Sequence, residues 1–167
     1  MHRIEVKIVA IDDHVDNLIT IKALIREFMP QCQVFTATSG IAGIELAKKE
    51  DPDVILLDIV MPDMDGFEVC KNLKKDPILS DIPVIFITAL KGDKENRIKA
   101  LECGGDGFLA KPIDESELYA QIRAMIKVKA AAISKNYQAD DLKKQVDEKV
   151  KELMQTNKAT LNLLEDL

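Results

Sequence analysis

The sequence predicts a doubly wound α/β domain with an extended C-terminal helix, and three observations predict it. Five short, mostly β-branched apolar runs recur at residues 6–11, 34–37, 54–59, 84–88 and 107–110. Segments of helical period lie between them. Finally, residues 113–167 contain neither Gly nor Pro. Continuous apolar strands that alternate with helices mean a parallel sheet covered on both faces.

Each element has its own signal. Leu18, Ile21, Ile25 and Phe28 fall on one face of the first helix, and Ile41, Ile44 and Leu46 belong to the second. Ser39-Gly40 opens that second helix, Pro52 and Pro83 stand just before strands, and Pro62 and Gly66 bracket a loop. Gly104 to Gly107 follow a helix whose last turn includes Cys103, where Gly supplies a left-handed cap. Asp114, Glu115 and Glu117 suit the start of the final helix. One helix over 114–167 would run about 80 Å at about 1.5 Å per residue, too long merely to pack on its own sheet.

Composition narrows the function. With 47% hydrophobic and 31% charged residues the chain reads as soluble and globular, and no run of eighteen apolar residues offers a membrane span. The N-terminus lacks the apolar core of a signal peptide, so the cytoplasm is the expected compartment. Cys32, Cys70 and Cys103 are far apart and odd in number, which suits buried thiols rather than disulfides. A net charge of -6 without a basic stripe argues against nucleic acid as a partner.

In such sheets ligands bind beyond the carboxyl ends of the strands. The first strand ends in Asp12-Asp13, the third in Asp58, the fourth in Thr88 and the fifth in Lys111-Pro112. Three carboxylates brought together repel unless a cation joins them, and carboxylate oxygens suit Mg²⁺. Lys111 and Thr88 suit an anion with spare oxygens, such as a phosphoryl group on an Asp carboxylate. Taken singly, each residue is as well explained as a turn, packing or solvated residue. Their joint arrival at four strand ends is what asks for a site.

The stretches "VAIDDH", "VILLDIVMPDMDGFEVC", "PVIFITAL" and "GGDGFLAKPI" resemble, in order and spacing, the receiver domain of two-component response regulators over about residues 5–125. The resemblance implies a flavodoxin-like sheet of order 2-1-3-4-5 and a receiver spanning residues 1–126. It implies Asp58 as phosphoacceptor, and Mg²⁺ held by Asp12, Asp13, Asp58 and the Val60 carbonyl. Thr88, Ala89, Lys111 and Phe108 become the phosphoryl-binding and switch residues, and Pro112 follows a cis bond. A histidine kinase is the implied phosphodonor, and the chain catalyses only its own phosphotransfer. A receiver-like scaffold that dimerises without phosphorylation is the alternative.

Other enzyme readings fit less well. Gly104-Gly105-Asp106-Gly107-Phe108 is one residue from the Gly-Gly-Asp-Glu-Phe signature of enzymes that condense two GTP molecules. A cyclase would need Glu where Gly107 stands, a β-hairpin around it and a longer domain. Dehalogenase-like phosphatases need a second Asp two residues after the nucleophile, where this chain has Val60. Val60 and Leu90 cannot orient an attacking water, so a slowly hydrolysed aspartyl phosphate is expected. No P-loop motif is present. His2 and His14 are expected to be exposed and inert.

In the tail, residues 127–167, Leu142, Val146, Val150, Leu153, Leu161 and Leu164 recur at three- and four-residue steps. The two steps of four from 142 to 150 form a stutter in a heptad pattern. Beyond it, Val150, Leu153, Asn157, Thr160, Leu164 and Leu167 fit a and d positions, with Asn157 fixing register. A parallel homodimeric coiled coil, cut short before a downstream domain, is expected. An amphipathic helix folded back on its own domain is the alternative.

Overall fold

The computed structural model describes residues 5–89 and 94–166. His2, Leu90 and Leu167, each assigned a role or environment from sequence, lie outside the described residues. The chain divides into two units, 1–130 and 131–167.

In the first unit, β1 (Lys7–Ile11), β2 (Gln33–Ala37), β3 (Val54–Asp58), β4 (Val84–Thr88) and β5 (Gly107–Ala110) form one parallel sheet. Its order is β2-β1-β3-β4-β5, as expected. Between strands run α1 (Val15–Phe28), α2 (Gly40–Glu50), α3 (Gly66–Lys75) and α4 (Lys94–Glu102). The last helix, α5, is Glu115–Glu165.

Alternate strand residues feed two cores, as the twofold period of a strand requires. Ile8, Ala10, Leu56, Ile85 and Ile87 pack with Leu18, Ile21 and Ile25 of α1 and with Leu118 and Ile122 of α5. Val9, Ile11, Ile55, Leu57 and Phe86 pack with Ala47 of α2, Val69 and Leu73 of α3, and Ala100 of α4. Cys32, Cys70 and Cys103 are all buried and free.

Not every apolar residue of α2 faces the sheet, and Ile41 is 59% exposed. The buried residues of α2 are Gly40, Gly43 and Ala47, because this helix lies so close to β1 that the Ile11 side chain leaves no room for a side chain at Gly43. Contacts of α5 with the sheet domain were expected to end near Ile126, yet Lys129 is buried three residues later. Its ammonium donates to the Pro52 carbonyl at 2.7 Å and to Asp51 at 3.2 Å, at the loop entering β3.

Candidate functional site

The parallel sheet brings the carboxyl ends of its strands to one edge, and the polar residues there follow from strand length. Asp12 directly follows β1, Asp58 ends β3, Thr88 ends β4, and Lys111 directly follows β5. Asp12, Asp58 and Thr88 are all buried. Polar groups at such depth require partners.

Asp12 is held from three sides. Its Oδ1 accepts the His14 backbone N–H at 2.8 Å, and its Oδ2 accepts Asn17 Nδ2 at 3.0 Å and Lys111 Nζ at 3.0 Å. The same Lys111 ammonium lies 3.5 Å from Asp58 Oδ1, which also accepts the Ile59 N–H at 3.0 Å. One cation therefore serves two carboxylates. Burial pushes the Asp58 carboxyl up to about 6, because desolvation outweighs the attraction of Lys111 while Asp12 adds repulsion.

Asp13 stands at the mouth of this pocket, half-buried, with His14 Nδ1 3.0 Å from its Oδ1. Among the described residues, Asp12, Asp13 and His14 form the one group of metal-ligating side chains whose ligand atoms lie within 4.8 Å of one another. The hard oxygens of this set fit Mg²⁺ better than a softer ion. Asp58 shares Lys111 with Asp12, and Val60 is 62% exposed two residues on.

Ala89 is exposed immediately after Thr88. Phe108, three residues before Lys111, is partly buried beside the α3/α4 core, and the Arg97 guanidinium lies 5.2 Å above its ring. The Lys111–Pro112 bond is cis.

Sequence reasoning missed Asn17 and Gly66. Asn17 binds Asp12 from the first turn of α1, and an Asn there carries no distinctive local signal. Gly66 donates its N–H to the Ile59 carbonyl at 2.8 Å and packs against the Asp58 carbonyl with no space for a side chain. His14 is largely exposed as expected, but it touches Asp13.

The Gly-Gly-Asp-Gly-Phe stretch lies at the other edge. Asp106 Oδ2 accepts the Val84 N–H at 3.0 Å and Lys74 Nζ at 3.3 Å, at the start of β4. Gly104 has φ of 91°, the left-handed turn foreseen after the helix. This Asp is structural and faces away from Asp58.

Known proteins match this architecture. The profile of the response regulator receiver domain family matches residues 8–123. The chain is 43% identical over 124 residues to the response regulator PleD of Caulobacter vibrioides, covering 74% of this chain and 26% of that protein. It is 39% identical over 121 residues to the DNA-binding dual master transcriptional regulator RpaA of Synechocystis, covering 72% and 49%. The chain thus spans less than half the length of these curated relatives.

Among solved structures, the receiver domain of a signal transduction histidine kinase from Syntrophus aciditrophicus matches with a TM-score of 0.65 at 30% identity, covering 72% of this chain and 89% of that one. A response regulator receiver domain protein from Clostridium thermocellum matches with a TM-score of 0.69 at 30% identity, covering 76% and 98%. Sharing its profile over residues 8–123 and its fold with solved receivers, the chain belongs to the response regulator receiver domain family.

Proposed function

We propose that the chain is a phosphorelay module that accepts a phosphoryl group on Asp58 and passes the change to its C-terminal helix. The observation that carries this reading is the buried Asp58 carboxylate, which shares Lys111 with Asp12 at the ligand-binding edge of the sheet. A histidine kinase is the donor, and the reaction takes place in the cytoplasm.

An Asp58 carboxylate oxygen attacks phosphorus, the phosphorus–nitrogen bond of the donor phosphohistidine breaks, and the imidazole nitrogen leaves with the electron pair and takes up a proton. The product is an acyl phosphate. Lys111 and the Thr88 hydroxyl donate to the phosphoryl oxygens, and the Ala89 N–H assists. Asp12, Asp13, Asp58 and the Val60 carbonyl would hold Mg²⁺, which supplies charge neutralisation for the transfer. Apart from this self-directed step the chain catalyses nothing.

The receiver occupies residues 1–126 and the signalling helix 127–167. When Thr88 is drawn toward the phosphoryl group, Phe108 can turn inward and leave the Arg97 guanidinium, altering the face between α4 and α5. Two such chains pair through their helices, so the change reaches a dimer.

Incubation with Mg²⁺ and a small acyl-phosphate donor, followed by mass spectrometry, tests the acceptor. Label is expected on Asp58 and should be absent from Asp58→Asn. Label on a histidine, or persisting in Asp58→Asn, overturns the assignment, and no label under any donor leaves the unphosphorylated scaffold.

A further inference from the structure

The second unit, 131–167, exposes a stripe of apolar side chains that includes Leu142, Val146, Val150, Leu153, Leu161 and Leu164. The stripe follows a repeat of eleven residues. Leu142, Leu153 and Leu164 are spaced by eleven, Val150 recurs as Leu161, and Val146 recurs as Asn157. Ala131 and Ala139 continue the pattern toward the first unit, with Lys135 at the position equivalent to Val146. Its steps of four, four and three make the stutter at 142–150 one part of a regular pattern.

Eleven residues over three turns give about 3.67 per turn, slightly more than the 3.6 of a straight helix. A heptad stripe drifts around the helix in the opposite sense, by about 20° per heptad. The two patterns separate at one pair of neighbours. Heptads after Val150 put Thr160 in the seam and leave Leu161 outside. The eleven-residue pattern puts Leu161 in the seam and Thr160 on its flank, where the Thr160 hydroxyl already donates to the Thr156 carbonyl at 3.0 Å.

We propose that this stripe is the seam between two copies of this chain, parallel and in register, wound without the left-handed supercoil of heptads. The proposal rests on the dimeric reading above and adds the residues and their geometry. A repeat of this kind meets itself in two parallel ways, in register or slid by eleven residues. Sliding sets Asn157 against Val146 of the partner subunit, burying an amide with nothing to bond. In register, Asn157 meets Asn157 of the partner subunit, and the two amides can bond each other.

An antiparallel pair centred between Leu153 and Met154 sets Asn157 against Val150 of the partner subunit, while one centred on Asn157 lets the two amides meet, so Asn157 fixes register and not direction. Charge supports the parallel choice. Asp147 and Lys149 flank the stripe on opposite sides, so a parallel pair sets each Lys149, which pairs with Glu152 of its own chain at 3.1 Å, on the same side as Asp147 of the partner subunit, offset by about 3 Å along the axis. Asn157 therefore selects one register of an otherwise self-similar stripe.

Cysteine cross-linking in the full chain tests this, since the three native thiols are buried and the substituted positions are exposed. Leu161→Cys should form disulfide dimers at least about five-fold faster than Thr160→Cys. The reverse order overturns the eleven-residue seam while sparing a heptad dimer. Chains carrying Leu142→Cys mixed with chains carrying Leu153→Cys should cross-link only when Asn157→Val is added to both. Mixed cross-linking with Asn157 intact overturns its register role, and Leu142→Cys joining Leu164→Cys faster than itself overturns the parallel order. A monomer by sedimentation at high concentration overturns the seam and the dimer together, while Asp58 labelling still judges the phosphoacceptor separately.

Discussion

Aspartate meets lysine at both edges of the sheet, but the two edges differ in how deeply the carboxylates are buried. At the amino edge, Asp106 accepts a backbone N–H and Lys74, Asp53 accepts the Lys7 N–H, and Lys129 donates to Asp51 and the Pro52 carbonyl. At the carboxyl edge, Asp12 and Asp58 share Lys111, and burial holds Asp58 well above an ordinary carboxylate. The first pattern stabilises a fold. The second, on the function proposed above, leaves negative charge for a cation and room for a phosphoryl group, at a cost in stability until they bind.

The contrast can be broken most forcefully at Asp106. Asp106→Ala removes the acceptor of the Val84 N–H and a partner of Lys74, and should destabilise the domain by about 2–3 kcal/mol in urea unfolding. Asp58 labelling of the remaining folded protein should be unchanged. A loss below about 0.5 kcal/mol would show that the amino edge is not structural in this sense.

Asp58→Asn should act with the opposite sign. The Asp58 carboxyl is raised from 3.8 to about 6, and each unit corresponds to about 1.4 kcal/mol. Ionised Asp58 therefore destabilises the metal-free fold, a penalty absent below the unfolded value of 3.8 and complete above about 6. With a chelator at pH 7 the Asn variant should be more stable by roughly 1–3 kcal/mol, and the gap should close as the pH falls to 4. Equal stability at both pH values would refute a strained carboxyl edge.

Lys129→Met keeps the apolar stem and removes the ammonium from Pro52 and Asp51. A loss of about 1 kcal/mol is expected, read in the same unfolding assay. The smallest effect lies beside the acceptor. Val60→Glu places a group able to orient water at an exposed position, so the acyl phosphate should decay about three-fold faster, roughly 0.7 kcal/mol of barrier. A longer lifetime would contradict that role for Val60.

The carboxyl edge was legible because a parallel sheet gathers strand ends regardless of their separation in sequence. Asp12, Asp58, Thr88 and Lys111 could thus be grouped from strand boundaries alone. Lys129 could not, since nothing local announces that a lysine on a long helix will be buried against a loop 77 residues earlier. Ile41 is apolar yet exposed for a related reason. Hydrophobicity marks a buried face only when the neighbouring element leaves room for large side chains, and α2 lies against β1 through Gly43 and Ala47 instead.

The three buried thiols give the molecule a set of internal clocks. Burial, with Asp53 adding to it, lifts the Cys32 thiol to about 11, and burial with Cys103 nearby lifts Cys70 further. Because the thiolate is the reactive form, an alkylating reagent can mark each site only as often as its surroundings open. Cys32 lies between α1 and β2, Cys70 within α3 and Cys103 just after α4. Their separate labelling rates would therefore time the opening of three parts of one domain, and phosphorylation should slow whichever part it tightens.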